Sequence, residues 1–202
     1  MKSQFFIEWS GVVEFEFDRS KTVCFTGHRP EKLPCSGNDD ALVTKAIKSM
    51  ISKFVIDSIH DGYNCFITGV ARGVDLWAGE IVLFEKSRFK DKDIKLIAAV
   101  PYKDHGKGFK GYEKWQFGNI LHKADEVIYV SEKYHKGCMR TRNEFMVDNS
   151  SRLIAAISDY ISGSGQTVRM ARDRGLDIKI VNIPEIEAAA NQYSDEDYDI
   201  VM

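Results

Sequence analysis

A few positions in this chain combine glycine with histidine or arginine in a way that could hold a phosphorylated ligand. The first is Thr26-Gly27-His28-Arg29-Pro30-Glu31-Lys32. Gly27 would let a ligand approach the backbone closely, while His28 and Arg29 offer an imidazole and a fixed guanidinium fork to a phosphate or ribose. Pro30 disfavours helical geometry at Arg29 and so keeps the motif extended. The second is Gly69-Val70-Ala71-Arg72-Gly73-Val74-Asp75, where Gly69 and Gly73 open a helix whose amides and dipole suit an anion. Asp75 fits a local cap on neighbouring amides equally well. The third is Gly163-Ser164-Gly165-Gln166-Thr167, a candidate backbone nest. Arg140, Arg142 and Asn143 stand in the first turns of a further helix, where a lone arginine is more often a solvated surface residue. An ordinary polar turn explains any one of these loops; three of them on one side of the fold favour a ligand.

The elements that must position these residues follow from the apolar pattern. Thr22 to Phe25, Cys65 to Thr68, Ile94 to Val100, Glu126 to Val130, Leu153 to Ile157 and Ile178 to Ile183 are short apolar runs rich in β-branched residues. They read as buried parallel strands. Between them lie helical periodicities, the clearest from Ala41 to His60, with Asp39 or Asp40 as its cap and Asp61-Gly62 as the turn after it. Strand and helix alternate, so the expected fold is α/β: a Rossmann-like parallel sheet with helices on both faces. The strand-to-helix turns carry the glycines, histidines and arginines, and the opposite turns carry bland linkers such as HDGYN and KDKD. Ligands bind open α/β sheets at the former rim.

Two ends fall outside the alternation. Residues 1–20 suggest an N-terminal strand or edge hairpin, with Val13, Phe15 and Phe17 alternating around Glu14 and Glu16. Residues 21–184 form the expected ligand-binding domain. Residues 185–202 hold six acids and no Lys or Arg, and read as a solvated, disordered tail and a candidate segment for a protein partner.

The composition narrows the function further. The chain has 202 residues, 44% of them apolar, enough for one real core. Its 28 Lys+Arg against 30 Asp+Glu give a net charge of −2, which argues against nucleic acid as a partner. No run of 18 apolar residues suggests a membrane span, and the N-terminus does not resemble a signal peptide, so the expected location is the cytoplasm. Cys24, Cys35, Cys65 and Cys138 form no C-x-x-C pair and read as reduced structural thiols, with no metal site. A homo-oligomer is compatible with the sequence. G-x-G-x-x-G after the first strand, a P-loop, a nucleophile elbow and H-E-x-x-H are all absent.

The set TGHRPEKL, ITGVARGVDLWAGE, AAVPY and GCMRTRNEFMVDNSSRLIAAI, in this order, resembles the YpsA family of the SLOG superfamily from about Thr22 to Ile183. The GVARGVD loop is also similar to that of DprA, a Rossmann-like protein that handles single-stranded DNA, and a further branch, the LOG enzymes, cleaves nucleoside monophosphates at the N-glycosidic bond. The resemblance implies a pocket for a nucleotide or an NAD-derived, ADP-ribose-like molecule, with no cofactor required. It carries to Gly27, His28, Arg29, Gly69, Arg72, Gly73, Asp75, Arg142, Asn143, Gly165 and Thr167. Where LOG enzymes have a catalytic glutamate after P-G-G-x-G-T, this chain has Met170, and where YpsA relatives tend to have G-G-T it has Gly165-Gln166-Thr167. Binding or sensing is therefore the first expectation, nucleotide N-glycoside hydrolysis the alternative, with Asp75, Glu144 and His28 as its available acids and bases, and single-stranded DNA binding the second alternative.

Overall fold

Successive residues of a strand face opposite sides of a sheet, so a strand covered on both sides must be apolar throughout. The computed structural model, which describes residues 4–6 and 18–199, satisfies this with one parallel sheet of seven strands. They are β1 (Gln4–Phe6), β2 (Thr22–Gly27), β3 (Cys65–Thr68), β4 (Lys95–Val100), β5 (Glu126–Tyr129), β6 (Arg152–Ile157) and β7 (Asp177–Asn182). The helices are α1 (Leu42–His60), α2 (Val74–Arg88), α3 (Gly111–Lys123), α4 (Cys138–Asp148), α5 (Gly163–Asp173) and α6 (Ile183–Asp199).

The two faces divide neighbouring residues between separate cores. Val23 and Phe25 of β2, Phe66 of β3 and Leu96 and Ala98 of β4 pack with Ile47, Ile51 and Val55 of α1 and with α2 and α3. Cys24, Ile67, Ile97 and Ala99, from the same strands, pack on the other face with Met146 and Val147 of α4 and Val168 and Ala171 of α5. Burial pushes the Cys24 thiol up to about 12 and the Cys65 thiol up to about 11, which keeps both as inert core groups.

The strand order is β1-β5-β4-β3-β2-β6-β7. The chain enters at β2, moves outward to β5, then crosses back through α4 to set β6 beside β2, with Gly27 level with Ala156. Because βαβ crossovers are right-handed as a rule, reversing direction moves the helices to the other face, as the separate cores of α1–α3 and α4–α5 show. The point of reversal, between the ends of β2 and β6, is where such a sheet leaves a crevice.

One expectation is met in part and two are corrected. At the N-terminus, β1 joins β5 in parallel at the sheet edge, Phe5 opposite Ile128, and the second half of the expected hairpin lies outside the described residues. After Glu185 the chain is not a disordered tail through the described residues: it forms α6, whose Ile186 and Ala190 pack against the core beside α1. Its early acid, Glu185, suits a helix N-terminus, an effect local enough to outweigh the polar composition. Ala41, not Asp39 or Asp40, occupies the cap position of α1, and Asp39 pairs with Lys48 instead, at 2.7 Å. Among the described residues no helix is long and apolar enough to cross a membrane.

Candidate functional site

The switch point opens into a cleft of about 360 Å³. One wall is the turn after β2, with Gly27, His28, Arg29 and Lys32; another is the start of α5, with Ser162, Gly163 and Ser164; α4 supplies Met139, Arg142 and Asn143. The start of α2 contributes Asp75.

His28 ties the two central strand ends together. Its side chain is buried, and Nε2 lies 2.9 Å from both the Ser158 amide and the Ser158 hydroxyl. An amide can only donate, so Nε2 accepts and the proton of the neutral ring resides on Nδ1. Burial holds the His28 pKa below its ordinary value, opposed by Asp159, whose carboxylate lies 3.8 Å away.

The start of α5 is the strongest anion-binding feature. The Asp159 carboxylate accepts the amides of Ile161 and Ser162, both at 2.8 Å, and these bonds hold its pKa down. The Ser162 hydroxyl caps the helix by accepting the Gly165 amide at 3.2 Å. Gly163 and Ser164, the first two helical residues, have no preceding turn whose carbonyls could accept their amides, and they line the cleft. The Ser164 hydroxyl donates to the Gly27 carbonyl at 2.6 Å, which docks the helix onto the end of β2.

The second loop works differently from the sequence reading. Gly73 adopts φ 82°, and Val74 donates to the His28 carbonyl, which brings α2 against the β2 turn. Asp75, buried, bonds Arg142 at 3.0 Å and the Ala71 amide, so a carboxylate of the chain fills the place expected for a bound anion. Val70, a buried β-branched residue, sits at φ 48°, a strained conformation that turns this loop. Burial raises the Asp75 pKa and lowers that of Arg142, and the attraction between them opposes both shifts. The Arg142 Nε atom is buried without a hydrogen-bond partner, a donor kept in reserve beside the cleft.

Of the residues singled out in the sequence, Gly27, His28, Arg29, Asp75, Arg142 and Asn143 line the cleft. The others support it. A Cβ at Gly69 would fall 1.4 Å from an Arg142 nitrogen, one at Gly73 2.5 Å from the His28 carbonyl oxygen, and one at Gly165 2.3 Å from the Tyr160 backbone. At each of these glycines, other parts of the protein occupy the space a side chain would need. Thr167 is fully buried and accepts a 2.8 Å bond from Asn143, linking α5 to α4. Arg72 turns away to Glu31 and Glu113, at 2.5 and 2.7 Å. Met170 is on α5 but packs with the α4–α5 core, not in the cleft. The site residues chosen from the sequence did not include Lys32, Met139, Ser162, Gly163 or Ser164 as lining residues; Gly163 and Ser164 were legible as part of a backbone nest, but not the side of it that faces the cleft.

A solved structure of DNA processing protein A from Helicobacter pylori, described for its unique single-stranded DNA binding mode, is similar in fold, with a TM-score of 0.52 and 13% identity, over 87% of this chain and 80% of that one. This corrects the expectation that charge argues against nucleic acid: a chain of this fold binds single-stranded DNA. The net charge of −2 sums the whole sequence, including the six acids from Glu185 onward, and does not describe a rim that carries Arg29 and Lys32. Among curated relatives, UPF0398 proteins of Bacillus cereus and Bacillus thuringiensis are each 26% identical over 158 residues, covering 77% of this chain and 84% of theirs. The YpsA family model, described as the YspA SLOG family, matches residues 23–177, which run from β2 to the start of β7 and include every lining residue of the cleft; the chain belongs to that family.

Proposed function

We propose that the switch-point cleft binds a phosphorylated, nucleotide-type small molecule, a mononucleotide or an ADP-ribose-like species. The observation that carries this reading is the position of Arg29. Its guanidinium makes no direct ion pair among the described residues, although Glu31 and Asp75 lie near enough to feel its charge, and it lines the same cleft as Gly163 and Ser164 at the start of α5. A phosphate placed there would meet helix amides on one side and a guanidinium on the other, the arrangement that charge-assisted bonds reward. Binding is favoured over hydrolysis because the two carboxylates lining the cleft are already engaged, Glu31 with Arg72 and Asp75 with Arg142. A general acid or base needs freedom to exchange its proton with substrate.

A second reading, single-stranded DNA binding, is supported by the likeness to the Helicobacter pylori protein. Calorimetric titration of the intact chain with AMP, ADP-ribose and an oligothymidylate separates the two. Saturable binding of AMP or ADP-ribose, weakened in Arg29→Ala, supports the small-molecule reading. Binding of the oligothymidylate alone would move the assignment to DNA, and no binding of any of the three would overturn both.

A further inference from the structure

Beside the cleft lies a second recess, of about 160 Å³. It shares Arg29, Ala71 and Met139 with the cleft, so the two are continuous across the Arg29 side chain. Its remaining walls are of another kind. Tyr102, His105 and Phe109, from the turn after β4, line it together with Arg72.

These rings hold one another in place. His105 meets Tyr102 at 5.4 Å between centroids, Phe109 at 5.3 Å and Phe117 at 6.1 Å, all in edge-to-face contact. Tyr102 also meets the exposed ring of Tyr134 edge to face, at 5.5 Å. A plane fixed on two sides loses little freedom when a further ring stacks on it. His105 is only 7% exposed, and its ring nitrogens make no hydrogen bond of normal geometry, the Val70 backbone being the polar group beside them. Burial lowers its pKa to about 4, so the ring is neutral near pH 7.

The charge in the recess is spent. Arg72 is held by both Glu31 and Glu113, and His105 is uncharged. A second phosphate would find no free cation beyond Arg29, whereas an uncharged aromatic ring would find aromatic walls, a methionine and the plane of a guanidinium. Cleft and recess thus differ as the two ends of a nucleotide differ.

We propose that the recess takes the aromatic base of a nucleotide whose phosphate lies at the start of α5, the ligand crossing Arg29 with its ring against Tyr102. The inference rests on the nucleotide reading of the cleft and adds its orientation and a requirement for a base. A phosphorylated sugar lacking a base would occupy the cleft alone.

The test compares ribose 5-phosphate with AMP, GMP, CMP and UMP, each titrated calorimetrically into the intact chain. At least one nucleotide is expected to bind about tenfold more tightly than ribose 5-phosphate, the size of one base–aromatic stacking contact. Tyr102→Ala is expected to erase that preference and leave ribose 5-phosphate binding unchanged, and Tyr102→Phe, which keeps the ring, to retain it. Equal binding of all five ligands by the unmodified chain would overturn the base site while leaving the phosphate site standing. So would a Tyr102→Ala variant, folded by circular dichroism, that keeps the preference or weakens all ligands alike. Failure of the unmodified chain to bind any of the five would overturn this inference, and failure to bind ADP-ribose as well would overturn the cleft reading with it.

Discussion

Arg142 lies directly over Gly69, in space that any side chain at Gly69 would fill, and Asp75 holds it there through a 3.0 Å ion pair buried at both ends. The arginine is as much a part of the fold as of the cleft. Removing one member of such a pair leaves an uncompensated buried charge, at a cost of about 3–5 kcal/mol. Arg142→Ala is therefore expected to lower stability by about that amount, and Gly69→Ala to lower it too, by expelling the guanidinium. A double variant, Asp75→Leu with Arg142→Met, is expected to recover most of the loss, because the charge left behind is gone. Denaturant unfolding of the three proteins measures this; equal losses in the single and double variants would show that packing, not charge, sets the cost.

Arg29 is the contrasting case, exposed and without a direct ion pair among the described residues. Arg29→Ala is expected to leave the melting temperature within error and to weaken nucleotide binding by about 1.5–3 kcal/mol, the usual worth of a hydrogen bond to a charged group. Calorimetry with thermal unfolding as the control reads both. A fall in stability without a fall in affinity would remove Arg29 from the site.

His105 predicts a pH dependence. Its folded pKa, about 4, lies below its ordinary value of 6.5. Above pH 6.5 it is neutral folded or unfolded and contributes no slope. Between pH 6.5 and about 4 the unfolded chain takes up a proton that the folded chain refuses, so stability falls as the pH falls, by at most about 3 kcal/mol, and below that range the effect levels off. The carboxylates of Asp18, Glu31 and Asp159, held low, add their own loss in more acidic solution. Urea unfolding at several pH values should show His105→Leu with a flatter profile between pH 6.5 and 4 than the unmodified chain; superimposable profiles would rule out a titrating His105.

The C-terminal helix is held at its start. Ile183 belongs to the core, and Ile186 and Ala190 pack against it. Truncation after residue 187 keeps both isoleucines and removes Ala190, so the expected loss is about 1 kcal/mol or less. Truncation after Asn182 removes all three and is expected to cost several kcal/mol. Thermal unfolding distinguishes the two truncations, and a large drop in the shorter deletion would show that the last turns of α6 also dock.

Patterns within a few residues determined the class of this fold. The apolar runs at Val23–Phe25 and Leu96–Val100 read as strands covered on both faces, and the four-residue spacing of Ile47, Ile51 and Val55 reads as a helix against them. Gly27, His28 and Arg29 were legible as one wall of a site for the same reason: they follow a strand and precede a proline. What His28 of the first loop and Asp75 of the second do was decided by partners far along the chain. His28 bonds Ser158, 130 residues away, and Arg142 bonds Asp75, 67 residues away. Both contacts exist because the chain reverses between β2 and β6, and a strand order has no local signature. The same long-range packing set Arg142 over Gly69 and paired Asp75 with Arg142, whereas the close approach at Gly165 is to Tyr160, five residues before it. A glycine in a sequence records that something comes close; only the tertiary structure decides whether it is a ligand or another part of the chain.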